Sequence, residues 1–278
     1  MNRFAKFQGV VPVLENDRLA RSTFRIRLKA PDMARSIVPG QFIMIRIPQT
    51  TDPLLGRPFA LYDTVIDTQG QPNCLDVVYL VVGKMTAALA AVKAGAIVEV
   101  WGPLGNGFPY LQDLDHVALV AGGIGQTPFL AYVHSLLGRR GYGGGIPRRA
   151  CRRVSLFYGV RTAALAAGVE DFQSAGADVH LASDDGTLGF KGFVTQLLAL
   201  QPRPDHLVGC GPEPMLQALL ALARAWEVPC HLSLETPMAC GVGICFSCVT
   251  RVRTRDGVDY RRICVEGPVF NGADLAWK

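Results

Sequence analysis

The sequence predicts an α+β multidomain protein, in which a small antiparallel β-barrel is followed by a doubly wound α/β domain and a metal-binding C-terminal region. Three observations support this fold class. Short β-like runs separated by turn residues fill the first third of the chain. Strand-like and helix-like segments alternate from about residue 114 to 230, and four of the eight cysteines lie in the last 40 residues. We expect the domains to span 1–111, 112–230 and 231–278.

The first region has the pattern of a small barrel or sandwich. Apolar or alternating runs are separated by turn residues such as Pro39-Gly40 and Gly95. Many short strands at such intervals are typical of closed or two-layered β structures. The expected strands lie at 24–28, 42–47, 77–82 and 97–101, with one short helix at 86–92.

The second region has the pattern of a parallel sheet, because strands and helices alternate. We expect strands at 117–121, 154–158, 178–182 and 206–210, and helices at 127–137, 193–200 and 212–226. The segment 138–150 is rich in glycine and arginine and is predicted to be a flexible surface loop. The tail, 231–278, is too short to hold a core unaided, so we expect loops stapled by a metal centre.

Composition excludes several classes of protein. The chain has 278 residues, 49% apolar and 18% charged, which suits a sizeable core and not a disordered chain. The net charge of +5 is mild. Its arginine clusters lack interleaved aromatic residues, so we expect no nucleic-acid partner.

The sequence predicts a cytoplasmic protein. The N-terminal residues contain no apolar stretch of signal-peptide length. The apolar segment 116–138 is interrupted by glycine and proline, which favours a strand, a turn and a helix over a membrane span. In a reducing compartment, clustered cysteines bind metal more often than they form disulfides.

The cysteine spacing is the most specific signal. Cys240-x4-Cys245-x2-Cys248, with Cys264 after fifteen intervening residues, is the plant-type spacing for a [2Fe–2S] cluster. Gly241 and Gly243 permit the tight loop that such a cluster needs. Zinc is the main alternative, although zinc sites usually pair two short cysteine knuckles. A structural or disulfide role is the third possibility.

Two glycine turns predict a nicotinamide nucleotide site. Each turn follows a strand and opens a helix, where backbone amides can approach phosphates. Carboxyl ends of neighbouring parallel strands meet at one edge, so the turns can enclose one ligand. A tight structural turn is the alternative for each. The candidate residues are Gly122, Gly123, Gly125, Gln126 and Thr127 in the first turn, and Gly209, Cys210, Gly211 and Pro212 in the second.

A third signal lies within the β region and is compatible with a flavin. Arg57 can pair bidentately with a pyrophosphate, and a neighbouring aromatic ring can cover a flavin. A structural surface arginine is the alternative. Thr86 can cap the helix that follows it. The candidate residues are Arg57, Pro58, Phe59 and Ala60, then Gly83, Lys84, Met85 and Thr86.

These motifs in this order resemble the ferredoxin–NADP reductase superfamily, and more narrowly the electron-transfer subunits of class 1B, NAD-dependent dihydroorotate dehydrogenases. The motifs are RPFALYD, GKMT, GPLGNGF, AGGIGQTPF, DDGTLGFKG, GCGPEPM and MACGVGICFSC. The resemblance implies a six-stranded FAD-binding barrel, an NAD-binding α/β domain and a C-terminal [2Fe–2S] loop. It also implies an FMN-containing catalytic subunit that oxidises dihydroorotate, in a heterotetramer with two copies of each chain.

The resemblance places Arg57 on the FAD pyrophosphate, residues 59–61 beside the isoalloxazine, and Gly83, Met85 and Thr86 in a second FAD loop. The sequence departs from the family pattern at Ala60, where serine is usual, and at Met85-Thr86, where Gly-Thr is usual. Related subunits serve sulfide dehydrogenases, hydrogenases and transhydrogenases, which are the alternative functions. A zinc-stabilised binding module is the alternative of another class.

The expected mechanism follows from the cofactors. A hydride carries two electrons and an iron–sulfur cluster carries one, so FAD must mediate between NAD and the cluster. We therefore assign no acid–base catalytic residue, and Glu235 is either near the flavin edge or an ordinary solvated carboxylate. Asp184 and Asp185 follow a strand next to a glycine turn and favour the free ribose hydroxyls of NAD over the 2′-phosphate of NADP.

Overall fold

The computed structural model describes residues 7–277. Within that range the chain forms two seven-stranded sheets and one two-stranded hairpin. No helix among these residues has the length and apolar character needed to cross a bilayer.

The first sheet is antiparallel throughout, in the order β4-β3-β7-β1-β2-β6-β5. Side chains alternate between its two faces, and the inward set includes Val13, Ile26, Ile43 and Val98. Its strands are β1 (Phe7–Ala20), β2 (Thr23–Lys29), β3 (Phe42–Arg46), β4 (Arg57–Ala60), β5 (Asp63–Ile66), β6 (Pro72–Leu80) and β7 (Ile97–Leu104), with helices α1 (Pro31–Ser36) and α2 (Lys84–Ala90).

The strand count differs from the six strands that the resemblance implies. β4 and β5 are separated by only two residues, Leu61 and Tyr62, and lie at opposite ends of the ladder. The long strand β1, which pairs with both β2 and β7, was not predicted. Its sequence contains Pro12 and several charged residues, which hide the alternation that its burial pattern shows.

The second sheet is parallel and doubly wound, as predicted. Its six parallel strands are β8 (Leu114–Gly122), β9 (Cys151–Val160), β10 (Asp178–Ser183), β11 (Phe190–Lys191), β12 (His206–Cys210) and β13 (Cys230–Ser233). Four helices cover it: α3 (Phe129–Leu136), α4 (Val169–Ser174), α5 (Val194–Ala199) and α6 (Glu213–Trp226). β8 lies between β9 and β12, so the chain reverses its direction of winding there. Open α/β sheets bind ligands at such a point.

The tail is more regular than predicted. We expected loops, but β14 (Val249–Thr254) and β15 (Gly257–Arg262) form a hairpin, followed by α7 (Ile263–Glu266) and β16 (Val269–Asn271). β16 pairs antiparallel with β13 and becomes the edge of the second sheet. Apolar residues of the tail pack in the same hydrophobic core as the second sheet, which helps to hold the tail in place. The sequence of the tail alone does not reveal this packing.

The glycine- and arginine-rich segment 138–150 is irregular, as predicted, but it is anchored and not free. Arg140 Nη1 donates to Asp63 Oδ2 at 2.7 Å, and the Tyr142 hydroxyl donates to Asp63 Oδ1 at 2.6 Å. The Tyr62 hydroxyl also donates to Asp171 Oδ2 at 2.6 Å. These polar contacts join the two sheets across their boundary.

Candidate functional site

A cavity of about 540 Å³ lies where the first sheet, the second sheet and the tail meet. Three walls surround it. The first comes from β4, β6 and the start of α2, and the second from the turns after β8 and β12. The third is the segment 233–238, which leads into the cysteine loop. Ten predicted residues line the cavity: Arg57, Pro58, Phe59, Ala60, Gly83, Lys84, Met85, Thr86, Thr127 and Cys210.

Arg57 lines this cavity with a guanidinium group that has no acidic partner among the described residues. Within residues 7–277 it forms no salt bridge, and its Nη1 donates only to the carbonyl oxygens of Leu55 and Gly56, both at 3.0 Å. Phe59 packs edge-on against Tyr79, with ring centroids 5.7 Å apart. The wall therefore offers a free guanidinium beside an aromatic, flat surface. This combination suits the pyrophosphate and ring system of a flavin dinucleotide.

The second predicted flavin loop has a different helix start from the one expected. Gly83 is the N-cap of α2, and Thr86 is its third residue and not its cap. The Thr86 hydroxyl accepts from the backbone amides of Val82 and Gly83, at 3.0 and 3.1 Å. The Met85 side chain is buried in the core of the first sheet. Met85 also lines the cavity, so the departure from Gly-Thr adds an apolar side chain to this wall.

The two glycine turns lie against each other. A Cβ at Gly125 would be 2.2 Å from the carbonyl oxygen of Cys210, so only glycine fits there. Gly123 has φ +57°, and a Cβ there would meet open space, as expected for backbone that faces a ligand. A Cβ at Gly211 would be 2.9 Å from the backbone nitrogen of Gly122. Gln126 and Gly209 are buried behind the turns and do not line the cavity.

The third wall was largely missed by the sequence analysis. Ser233 pairs with Cys210 in the β12–β13 ladder, and burial raises the pKa of the Cys210 thiol well above its ordinary value. Glu235 is exposed where it lines the cavity, and desolvation by the surrounding protein raises the pKa of its carboxyl. Thr236 Oγ1 is buried without a hydrogen-bond partner. A buried hydroxyl without a partner is costly unless a ligand pairs with it.

The residues around the cavity therefore fit a flavin. The orphaned hydroxyl of Thr236 and the free guanidinium of Arg57 both need polar partners, and Phe59 and Met238 supply apolar surface. Lone residues such as Ser233 and Thr236 carry no motif. Their only sequence signal is that polar residues occupy the end of a strand of the parallel sheet and the positions just after it.

The cysteine loop begins two residues after this wall. Gly241 and Gly243 have φ values of +72° and +83°, so the tight turn predicted for them is present. Trp101 Nε1 donates to the carbonyl oxygen of Cys240 at 3.0 Å, which ties the loop to β7. Asn106 fixes the other side, since its amide group bonds both the N–H and the carbonyl of Val269 at 3.0 and 2.8 Å. The GPLGNGF motif thus anchors the tail.

The four predicted cysteine ligands lie near one another. Cys245 interacts with Cys240, and Cys264 interacts with both Cys248 and Cys240. The Ser247 hydroxyl lowers the pKa of the Cys245 thiol to about 6, whereas burial raises that of Cys264 to about 12. Among residues 7–277 no three histidine, cysteine or acidic side chains converge as ligands of a single ion. The plant-type spacing of these four cysteines suits a [2Fe–2S] cluster better than one tetrahedral zinc.

A second cavity, of about 670 Å³, lies on the other side of the cysteine loop. Its walls come from residues 103–110, from the anchored segment 140–148 and from Gly241, Val242, Cys264 and Val265. Although it is larger than the flavin-compatible cavity, it contains none of the predicted flavin or nucleotide residues. Exposed apolar side chains surround the loop nearby, with Ile244 at 80% and Phe246 at 63% exposure. Arg262 lies 5.2 Å over the Phe246 ring.

Solved structures with this fold are redox proteins. The chain is similar to an NADH-dependent reduced ferredoxin-NADP oxidoreductase, with a TM-score of 0.79 and 25% identity over 97% of this chain and 90% of that one. It also resembles an Amycolatopsis cytochrome P450 reductase, with a TM-score of 0.67 over 84% and 71% of the two chains at 24% identity. The second likeness concerns the fold alone.

Two family models and several curated relatives match the sequence. The oxidoreductase FAD-binding domain matches residues 11–109, and the iron–sulfur cluster binding domain of dihydroorotate dehydrogenase B matches residues 235–276. A Desulforamulus reducens protein is 35% identical over 94% of this chain and 95% of its own length, and a Shouchella clausii protein is 37% identical over 95% and 96%. Both are named dihydroorotate dehydrogenase B (NAD(+)), electron transfer subunit. The chain therefore belongs to the family of dihydroorotate dehydrogenase B electron transfer subunits.

Proposed function

We propose that this chain carries electrons from a dihydroorotate-oxidising flavin subunit, through a [2Fe–2S] cluster and FAD, to NAD⁺ in pyrimidine biosynthesis. One observation carries the proposal. The segment 233–238 forms a wall of the flavin-compatible cavity, and Cys240 begins the cysteine loop two residues later. The two redox centres would then be neighbours along a single stretch of chain. Electrons can pass between them without any movement of the domains.

In this proposal the cavity holds FAD, and each wall has a role. Arg57 pairs with the pyrophosphate, Phe59 and Ala60 border the ring, and the Gly83–Thr86 loop closes the far side. The Thr236 hydroxyl supplies a hydrogen bond to the ring system, which would satisfy its buried oxygen. Bound FAD would exchange a hydride with a nicotinamide and single electrons with the cluster. The chain contributes binding, orientation and exclusion of water.

The nucleotide is proposed to be NAD, held by the two glycine turns. The open backbone at Gly123 would lie along the phosphates, and Thr127 and Cys210 would border the nicotinamide. Asp184 is exposed at the carboxyl end of β10, where its carboxylate can accept from ribose hydroxyls. Asp185 is engaged in its own turn, because its Oδ1 accepts from the Thr187 amide and hydroxyl at 3.0 and 2.7 Å. Asp184 is therefore the better candidate for ribose recognition.

The cluster ligands are proposed to be Cys240, Cys245, Cys248 and Cys264. Metal binding would also hold the buried Cys264 thiol in the thiolate form, against its raised pKa. The other four cysteines are buried elsewhere and have no such role.

The partner is proposed to be an FMN-containing catalytic subunit, with two copies of each chain in the complex. The exposed apolar residues beside the cysteine loop, Val242, Ile244, Phe246 and Val265, form a face suited to a protein partner. A subunit docked there would bring its flavin close to the cluster. The division of the chain at 1–111, 112–230 and 231–278 remains part of this proposal, although β16 joins the sheet of the second unit.

The test is an anaerobic NADH titration of the purified, cofactor-loaded chain. We expect NADH to bleach the FAD absorbance and to produce the electron paramagnetic resonance signal of a reduced [2Fe–2S] cluster. Cys245→Ser should lose the iron and that signal while its FAD is still reduced. The buried Cys74→Ser is the matched control and should behave as wild type. Two irons and two sulfides retained in Cys245→Ser would refute the ligand assignment.

A further inference from the structure

Transfer of electrons from the cluster to FAD raises a question of proton supply. A flavin that takes two single electrons must also take one proton at ring nitrogen N5 before it can release a hydride. When NADH reduces the flavin, the hydride itself brings that hydrogen, and no proton is needed from the protein. The cluster-driven direction therefore needs an acid beside the ring, and this inference rests on the function proposed above.

Glu235 is the only carboxylic acid among the described residues that line the flavin-compatible cavity. The other titratable or charged groups there are Arg57 on β4, Tyr79 on β6, Lys84 on α2 and Cys210 on β12. Arginine and lysine remain protonated near neutral pH. Burial raises the pKa of Tyr79 to about 12 and that of Cys210 well above its ordinary value, so both hold their protons too tightly.

The position of Glu235 is fixed by its neighbours. Leu234 N donates to the carbonyl of Pro268 at 2.9 Å and its side chain packs in the core, so the chain at this point is held on both sides. Glu235 lies close enough to Cys210, at the end of β12, for its charge to affect the thiol. The carboxyl thus lies where the nucleotide turn, the tail and the flavin-compatible wall meet. Burial raises the pKa of this carboxyl above its ordinary value, which favours the protonated form that a proton donor needs.

We propose that Glu235 is the proton donor for FAD when electrons arrive from the cluster. Two electrons come singly from the cluster, and one proton leaves the Glu235 carboxyl for N5 of the flavin. The carboxylate then regains a proton from solvent at the cavity mouth. The hydride that passes to NAD⁺ carries the two electrons and that hydrogen, so charge and atoms balance over a turnover.

The test compares two ways of reducing FAD in the loaded chain. NADH supplies a hydride, and reduced methyl viologen supplies single electrons with no hydrogen. In Glu235→Gln, reduction by NADH should stay within about twofold of wild type, whereas complete reduction by the viologen should slow at least about tenfold, as expected for loss of a general acid. Glu235→Asp should recover part of the lost rate. Glu170→Gln, an exposed change on α4, is the matched control and should alter neither rate.

Infrared difference spectra give a readout independent of rates. Wild type should show a protonated-carboxyl band that changes on flavin reduction, and Glu235→Gln should lack it. Equal slowing of both reactions in Glu235→Gln, or no slowing of either, would overturn the proposal, as would an unchanged infrared band. A wild-type chain that binds FAD but is not reduced by NADH would instead overturn the proposed function, and this inference with it. FAD content measured in each variant separates lost binding from lost proton transfer.

Discussion

Arg57 is the residue on which flavin binding is expected to depend most. Its guanidinium has only backbone partners, so the protein loses little internal structure when it is removed. Arg57→Ala should weaken FAD binding by about 1.5–3 kcal/mol, the range for a hydrogen bond to a charged group. FAD occupancy after purification and a binding titration would measure this. Arg35→Ala, which removes a surface arginine paired with Asp32, should leave FAD affinity unchanged. Equal affinity in Arg57→Ala and wild type would place the pyrophosphate elsewhere.

Nucleotide choice is also decided by single residues. We expect the isolated chain to reduce an artificial acceptor much faster with NADH than with NADPH, because in the proposed site the Asp184 carboxylate would accept from ribose hydroxyls and repel a 2′-phosphate. The double variant Asp184→Ser, Asp185→Arg should narrow that preference by roughly tenfold, or ~1.4 kcal/mol. Steady-state kinetics with both nucleotides would show it. Asp178→Asn, at the opposite end of β10, is the control. A native preference for NADPH would contradict the assignment.

At this scale the sequence was informative only where residues form a motif. The cysteines, Arg57 and the glycine turns could be predicted as candidate site residues because each belongs to a motif whose residue types are typical of ligand binding. Ser233 and Thr236 could not, because each is a single polar residue whose neighbours in the cavity come from distant parts of the chain. Gln126 belongs to a motif, and its side chain is completely buried, with both polar atoms of its amide lacking a hydrogen-bond partner among the described residues.

The elements that hold the two sheets together include the segment 138–150. Asp63→Asn would leave the Arg140 guanidinium without its carboxylate and weaken the bond from Tyr142. Loss of hydrogen bonds to a charged group should cost roughly 1.5–3 kcal/mol in local opening, or about 10- to 100-fold. Trypsin should therefore cleave at the arginines of this segment faster in Asp63→Asn, as peptide mapping would reveal. Asp17→Asn, an exposed change on β1, should cleave like wild type. No increase in cleavage would show that Asp63 does not anchor the segment.

Elements were predicted well where hydrophobic periodicity is strong. The strands β8, β9 and β12 and the helix α6 are apolar or amphipathic along their length, and all four were predicted. The bounds of β12 and α6 agree closely with the structure, whereas β8 and β9 extend beyond the predicted 117–121 and 154–158 at both ends. β1, β4 and the tail strands were missed, because their pairing depends on partners far away in sequence. Local pattern cannot reveal such partners.

At the scale of the whole molecule, the order of the parts explains the electron path. The first sheet and the turns of the second sheet enclose one cavity, and the tail supplies both its last wall and the cysteine loop. Trp101 and Asn106 hold that loop against the first sheet. The fold class was predicted from element order and cysteine spacing. The cavity wall formed by the tail was not predicted, because the cavity forms only where three segments that are distant in sequence meet.

The most direct test of the central claim is dihydroorotate-dependent reduction of NAD⁺. The chain would be purified from its own cells together with its natural partner, and NADH formation would be followed by absorbance under anaerobic conditions. We expect NADH only when dihydroorotate and NAD⁺ are both present, with FMN, FAD and iron in the complex, and a loss of the activity in the Cys245→Ser complex. A complex that does not oxidise dihydroorotate, or a Cys245→Ser complex that reduces NAD⁺ at the wild-type rate, would contradict the account.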